Sequence, residues 1–113
     1  MRTIVLDGPG GGWRVLVPET RRERMRGLRG RPPPGPREGL LLERCRSVHT
    51  FGVDAPIAAV LLDGGLEVLD VRTLPPRRVL FPRLRARHVL ECQVAARVRA
   101  GDAFRRRGST RRP

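Results

Sequence analysis

Apolar residues recur along this chain in short runs broken by arginine, glycine and proline. "TIVL" (3–6) leads into "DGPGGG", and "WRVLV" (13–17) sets Trp13, Val15 and Val17 on one side with Arg14 and Leu16 on the other. A period of two is that of an extended chain, so these runs predict a hairpin about a glycine turn. The period changes at "PETRRERMRGLRG". There Thr20 with Glu23 three residues later forms a capping box, Met25 and Leu28 supply one apolar face, and Gly30 with the following prolines stops the element. The pattern predicts one helix over 20–29 and a loop over 31–37. Extended runs resume as "GLLLER" (39–44), "SVHTF" (47–51), "IAAVLLD" (57–63), "LEVLDVRTL" (66–74), "RVLF" (78–81) and "RHVLECQV" (87–94). Within 66–74 the apolar positions slip out of strict phase, which predicts a bulge or a strongly twisted strand. "AARVRAGDAF" reads as a short helical or turn segment running into a terminal strand.

Seven or eight short strands with glycine and proline turns predict a mainly β domain, α+β at most: a compact jelly-roll-like β-sandwich or barrel carrying one short helix. At 113 residues the chain allows a single domain. Residues 1–104 are expected to form it, with 105–113 as a basic, disordered tail.

Charge changes this picture only in part. The chain has 24 arginines, no lysine and 11 acidic residues, a net charge of +13. Such a surface attracts phosphates, nucleic acid or anionic membranes. The absence of Lys, Asn and Tyr beside abundant Arg, Gly, Pro, Ala and Leu is what a GC-rich coding sequence produces, so the preference for Arg says little about function. Five arginines fall in the last nine residues, "RRRGSTRRP". A like-charged run among Gly, Ser, Thr and Pro reads first as a solvated tail and second as a nucleic-acid arm. With one Trp, three Phe and no Tyr, the core is aliphatic and a broad aromatic platform is unexpected.

Cys45 and Cys92 lie far apart with no CxxC, which excludes a zinc ribbon and a dense disulfide framework and predicts reduced, buried thiols. Cys45 with His49, and His88 with Cys92, are each four residues apart. On strands that spacing separates the partners by about 13 Å, too far for one tetrahedral ion, so neither a metal nor another cofactor is expected. No signal-peptide pattern or apolar run of ~20 residues is present, which points to a cytoplasmic monomer without a membrane span.

Several blocks in order carry a family resemblance: "ETRRERMRGLRGR", "EGLLLERCRSVHTFGVDAPIAAVLLDGGLEVLDV", "LPPRR", "HVLE" and "AGD". Together they resemble the small uncharacterised proteins of the UPF0127 (DUF192) group. The resemblance spans residues 19–104 and implies a compact, mostly β domain resembling a jelly-roll sandwich, with no established activity. This chain departs from the group's usual pattern at Arg29 and Val53, where methionine is usual, and at Ala58, where aspartate is usual. If that aspartate serves a shared activity, this chain has lost it.

The candidate chemistry centres on "SVHTFGVDAPIA" (47–58). His49 can act as a base or ligand, Thr50 offers a hydroxyl, Asp54 a carboxylate, and Glu91 another from a separate strand. Alternation sets Val48 and Thr50 on one face and His49 and Phe51 on the other, so a core-facing Val48 turns His49 outward or into a groove. Glu91 in "HVLEC" has apolar neighbours and calls for exposure or a cation, with Arg77 and Arg78 as candidate partners. The simpler reading is a hydrogen-bonded histidine and a structural salt bridge. The functional reading is a groove near His49, lined by Thr50, Asp54, Arg77 and Glu91, that binds an anionic small molecule or a protein partner. Arginine-driven nucleic-acid binding is one alternative, and an undiscovered hydrolase or lyase, degenerate at Ala58, is another. No residue is assigned a catalytic role. The chain has no G-x-S-x-G elbow, P-loop, H-E-x-x-H or dinucleotide glycine fingerprint, and the balance leans away from an enzyme.

Overall fold

A computed structural model describes residues 1–45, 47–50, 52–81 and 85–107. Phe51, one of the residues placed opposite Val48 by alternation, lies outside the described residues. The two N-terminal runs form β1 (Arg2–Gly8) and β2 (Gly11–Val17), antiparallel with Gly8 opposite Gly11. Between them Pro9 fixes one φ angle and Gly10 takes φ 83°, a conformation that costs glycine nothing. The indole Nε1–H of Trp13 donates to the Pro9 carbonyl at 2.9 Å and pins the turn.

The capping box forms as expected: Thr20 Oγ1 accepts from the Glu23 amide, and Glu23 Oε1 accepts from the Thr20 amide, both at 3.1 Å. The helix α1 (Arg21–Arg26) is nevertheless shorter than the 20–29 predicted, and it buries no residue. Gly27, at φ 54°, ends it before Leu28. Met25 and Leu28 therefore do not share a helical face: Met25 is 63% exposed, while Leu28 packs beyond the cap.

The remaining strands are β3 (Glu38–Leu42), β4 (Val48–His49), β5 (Ile57–Leu62), β6 (Val68–Leu74), β7 (Val79–Leu80), β8 (His88–Cys92) and β9 (Arg105–Arg106). Seven of them make one curled, half-barrel sheet in the order β6-β5-β8-β3-β2-β1-β9, and β4 pairs with β7 as a separate ribbon. The architecture is mainly β with one short helix. All its pairings are antiparallel except β2 with β3. That parallel step needs a long crossover, which α1 and the proline loop supply. The out-of-phase residues of 66–74 are a bulge: Leu61 faces Asp70 and Leu62 faces Val68, leaving Leu69 as the extra residue.

The central strands are buried on both faces. In β5 all six residues are buried, with Ala58, Val60 and Leu62 in the core inside the curl and Ile57, Ala59 and Leu61 in a second core outside it. Such a strand reads as a continuous apolar run, as "IAAVLL" does. The second core also holds Val48, and Leu28, Cys45, Val53 and Leu80 pack onto it, so the β4–β7 ribbon and the segment after α1 form its cover.

The C-terminal segment corrects the expected domain boundary. Residues 101–104 bond to the start of β6, with Val68 N donating to Asp102 O (2.7 Å) and Phe104 N to Leu66 O (2.9 Å). Arg105 and Arg106 then pair with Asp7 and Leu6 at the far edge, and Arg107 bonds the Asp7 carboxylate through Nε at 3.1 Å. Three arginines expected in a solvated tail thus belong to the domain, because strand pairing with β1 outweighs their local composition. The rest of that expected tail, 108–113, lies outside the described residues. Among the described residues no helix is long and apolar enough to cross a membrane.

Phe104 anchors this strap edge-on against Trp13, with ring centroids 5.2 Å apart and planes at 83°. Its ring also lies so close to Gly8 that a Cβ there would sit 2.5 Å from it. Phe104→Ala is therefore expected to cost ~3–5 kcal/mol of unfolding free energy in urea titration. A loss below about 1 kcal/mol would show that the strap does not hold the sheet closed.

Candidate functional site

The stretch around His49 is built on the ribbon, where Val48 faces Leu80 and His49 faces Val79. Val48 is buried and His49 half-buried on the opposite side, as alternation requires. Thr50 follows as the ribbon's fastening. Its side chain is fully buried; Oγ1–H donates to Pro75 O at 2.7 Å and Oγ1 accepts from Arg78 N at 2.8 Å. The Thr50 amide donates to Arg78 O (2.9 Å), and its carbonyl accepts from Val53 N (3.2 Å) and Arg77 N (3.3 Å). Pro75 and Pro76 bring no amide protons to their own turn, so a neighbouring hydroxyl and backbone meet its remaining polar groups. Arg77 takes φ 62° in this turn and its side chain is exposed.

Glu91 lies elsewhere. On β8 it shares the outer face with Val89, and it is 2% exposed. A Cβ on Gly27, the residue that caps α1, would lie 3.8 Å from Glu91 Oε1, so the carboxyl sits beneath the helix end. The expected salt bridge with Arg77 or Arg78 is not formed, and no ion pair to Glu91 occurs among the described residues. Those arginines are held on the prolyl turn by Thr50, while Glu91 is enclosed under Gly27. Burial without a cation raises its pKa to about 8, so it is mainly neutral at pH 7.

The thiols are also held protonated. Cys92 lies in the inner core, where burial first and the Glu91 charge second push its pKa up to about 12. The half-buried Cys45 donates from Sγ to Ser47 O at 2.9 Å, and burial raises its pKa too. The two pack in different cores, on opposite faces of the sheet, and both are free. Among the described residues no group of three His, Cys, Asp or Glu could hold a metal ion.

Asp54 marks a concavity. Gly52, Val53, Asp54, Ala55, Pro56 and Ile57 form one wall of a cavity of about 200 Å³, and Leu28, Gly30, Arg31, Pro32, Pro33, Pro34 and Gln93 complete it. Gln93 Nε2 donates to Pro34 O at 3.2 Å, and Arg31 Nε donates to Gly27 O at 3.1 Å, so both polar residues of that second wall are anchored to backbone. The ribbon brings His49, Thr50 and Arg77 together, whereas Asp54 lines this cavity and Glu91 lies under α1. The sequence reading missed Arg31, Gln93 and the proline wall. The signal for the wall was the "RPPPGP" run, whose fixed φ angles make a rigid surface as readily as a loop.

Comparison with known proteins finds a partial sequence match and two solved structures of similar fold. No family model matches the sequence. A UPF0127 protein of Pyrococcus horikoshii is 40% identical over 45 residues, covering 40% of this chain and 39% of that protein. The match supports the UPF0127 resemblance carried by the sequence blocks. A proposed transcription regulator from Sinorhizobium meliloti 1021 shares the fold with a TM-score of 0.76 at 18% identity, over 94% of this chain and 93% of that one. A protein of unknown function from Novosphingobium aromaticivorans does so with a TM-score of 0.71 at 20% identity, over 90% of this chain and 82% of its own. At these identities the shared property is the fold.

Two outcomes test the site's energetics. Thr50→Val keeps shape but strands the Arg78 amide and the Pro75 carbonyl, and is expected to cost ~1–3 kcal/mol, with Thr50→Ser costing less. Equal costs would mean the hydroxyl bonds do not matter. For Glu91, the unfolded carboxyl releases its proton near the ordinary 4.5 and the folded one near 8. Folding therefore takes up a proton between those values, and stability falls with rising pH by up to about 1.4 kcal/mol per unit. Glu91→Gln removes this term, so urea titrations at several pH values should show the variant gaining on the parent across that window and holding its advantage above it. Parallel curves would refute a neutral Glu91.

Proposed function

We propose that the protein is a binding module whose ligand is a small molecule with an apolar body and one anionic group, seated in the cavity between the proline loop and the turn after His49. The observation that carries this reading is the cavity itself, about 200 Å³ and walled mainly by Leu28, Val53, Ile57 and prolines. Drug-sized ligands occupy ~300–1,000 Å³, so this space suits a compact molecule better than a protein segment. Arg31 supplies positive charge at one side, steadied by its bond to Gly27. Asp54 lines the same cavity and directs the anionic end toward Arg31.

In this reading Thr50 is a positioning residue, since the turn it fastens leads directly into the Gly52–Ile57 wall. Both thiols are held protonated, so neither is an activated nucleophile.

The test is a ligand-observed NMR screen of small aromatic and aliphatic carboxylates against their neutral amides. Carboxylates are expected to bind in preference, to weaken about tenfold with Arg31→Ala, and to be lost with Ala55→Trp, which fills the space from an exposed position. Binding that survives Ala55→Trp, or a screen without a single hit, overturns the reading.

A further inference from the structure

A second surface lies on the face where β8 begins. Two open depressions of about 520 and 570 Å³ adjoin there and share two lining residues, Arg44 and His88. The first is also lined by Arg2, Arg24 and Arg106, the second by Arg85 and Arg87. Seven basic or imidazole side chains from β1, α1, the segment after β3, the approach to β8, its first residue and β9 thus border the two adjoining depressions. Its acidic members are largely committed. Glu43 bridges Arg2 at 3.1 Å and Arg106 at 3.0 Å, and Asp63 Oδ1 accepts from the amides of Gly65 and Glu67, both at 2.9 Å. Glu19 stands 4.0 Å from the N-terminal amine.

Arg44, Arg85 and Arg87 are exposed and make no ion pair among the described residues. Backbone bonds fix where two of them emerge. Arg44 holds φ 50°, a left-handed conformation that is uncommon for a side chain of this size, and its amide donates to His88 Nδ1 at 3.0 Å. Arg87 N donates to Leu62 O at 2.8 Å, and Arg87 O accepts from Cys45 N at 3.0 Å. With Nδ1 accepting, the neutral His88 ring carries its proton on Nε2 and offers a donor. Burial lowers the His88 pKa; the Glu43 carboxylate opposes it, and Arg106, Arg44 and Arg87 add smaller lowering contributions.

We propose that this face is an anion site for a phosphate-bearing ligand long enough to engage both depressions, a di- or triphosphate group, with Arg44 and His88 at its centre and Arg87 and Arg85 on one side. Guanidinium groups bind such oxygens in pairs, and this face offers several at fixed origins. The group could belong to a free phosphorylated molecule or to a nucleic-acid backbone, and the same chemistry recognises either.

The test uses the full chain at low salt, with inorganic pyrophosphate, inorganic phosphate and a 20-residue oligothymidylate as probes, followed by calorimetry and by the ring signals of the two histidines. Pyrophosphate is expected to bind more tightly than phosphate and to shift the ring signals of His88 and not those of His49. The double variant Arg44→Ala/Arg87→Ala should weaken it by about tenfold or more, while Arg14→Ala/Arg72→Ala, which removes equal charge elsewhere, should leave it unchanged. If the oligonucleotide displaces pyrophosphate at equal phosphate concentration with steep salt dependence, the site serves a polymer backbone; failure to displace it assigns a free phosphorylated ligand. No pyrophosphate binding, or equal loss in the two double variants, overturns the proposal.

Discussion

The rest of the structure depends on one constraint: β5, with its neighbours β8 and β3, is apolar on both faces. Curling the sheet buries only one of them, around Trp13, Val60 and Leu90. The other, with Leu40, Ile57, Leu61 and Val89, must be covered by chain that is not part of the sheet. That demand explains why two residues of β4 pair with two of β7 as a detached ribbon, why a buried threonine fastens it, and why the proline loop turns back over the sheet. The cavity beside Asp54 lies where two parts of this cover, the proline loop and the turn after the ribbon, meet without filling the space between them.

Placing a carboxyl inside that cover carries an energetic cost. Glu91 occupies a position where Val89 and Leu40 surround it, and with no cation at hand it stays mainly neutral near pH 7. Over Glu91 lies the end of α1, a helix that buries no residue of its own and is held to the start of the chain by the N-terminal ammonium, which donates to Glu23 Oε2 at 2.7 Å.

Much of the fold was legible in the sequence because it is written locally. Alternation in "WRVLV", the Thr20–Glu23 box, the phase slip within 66–74 and the unbroken run "IAAVLL" each report a backbone state within a few residues. What stayed hidden depends on partners far away. Arg105 and Arg106 look like tail by composition and become strand because β1 offers an edge. Glu91 was recognisable as anomalous, but its surroundings are set by Gly27, 64 positions earlier. Of the site residues, Thr50 proved to be the fastening of the ribbon, and Asp54 faces a cavity whose opposite wall came from a run read only as a loop. Val53, where the resemblance leads one to expect methionine, lines that same cavity, so the departure alters the shape of the space.

The strap from 101 to 107 has a consequence for how the molecule comes into being. Asp7 and Arg107 are separated by 100 positions, and β1 has no outer neighbour until β9 arrives. During synthesis β1 leaves the ribosome 100 positions before the residue that bonds its Asp7 carboxylate. Closing so long a loop is entropically unfavourable, and until it closes the outer edge of β1 is bare. Asp7 on β1 places charge along that edge while it is open, where it discourages pairing with another chain.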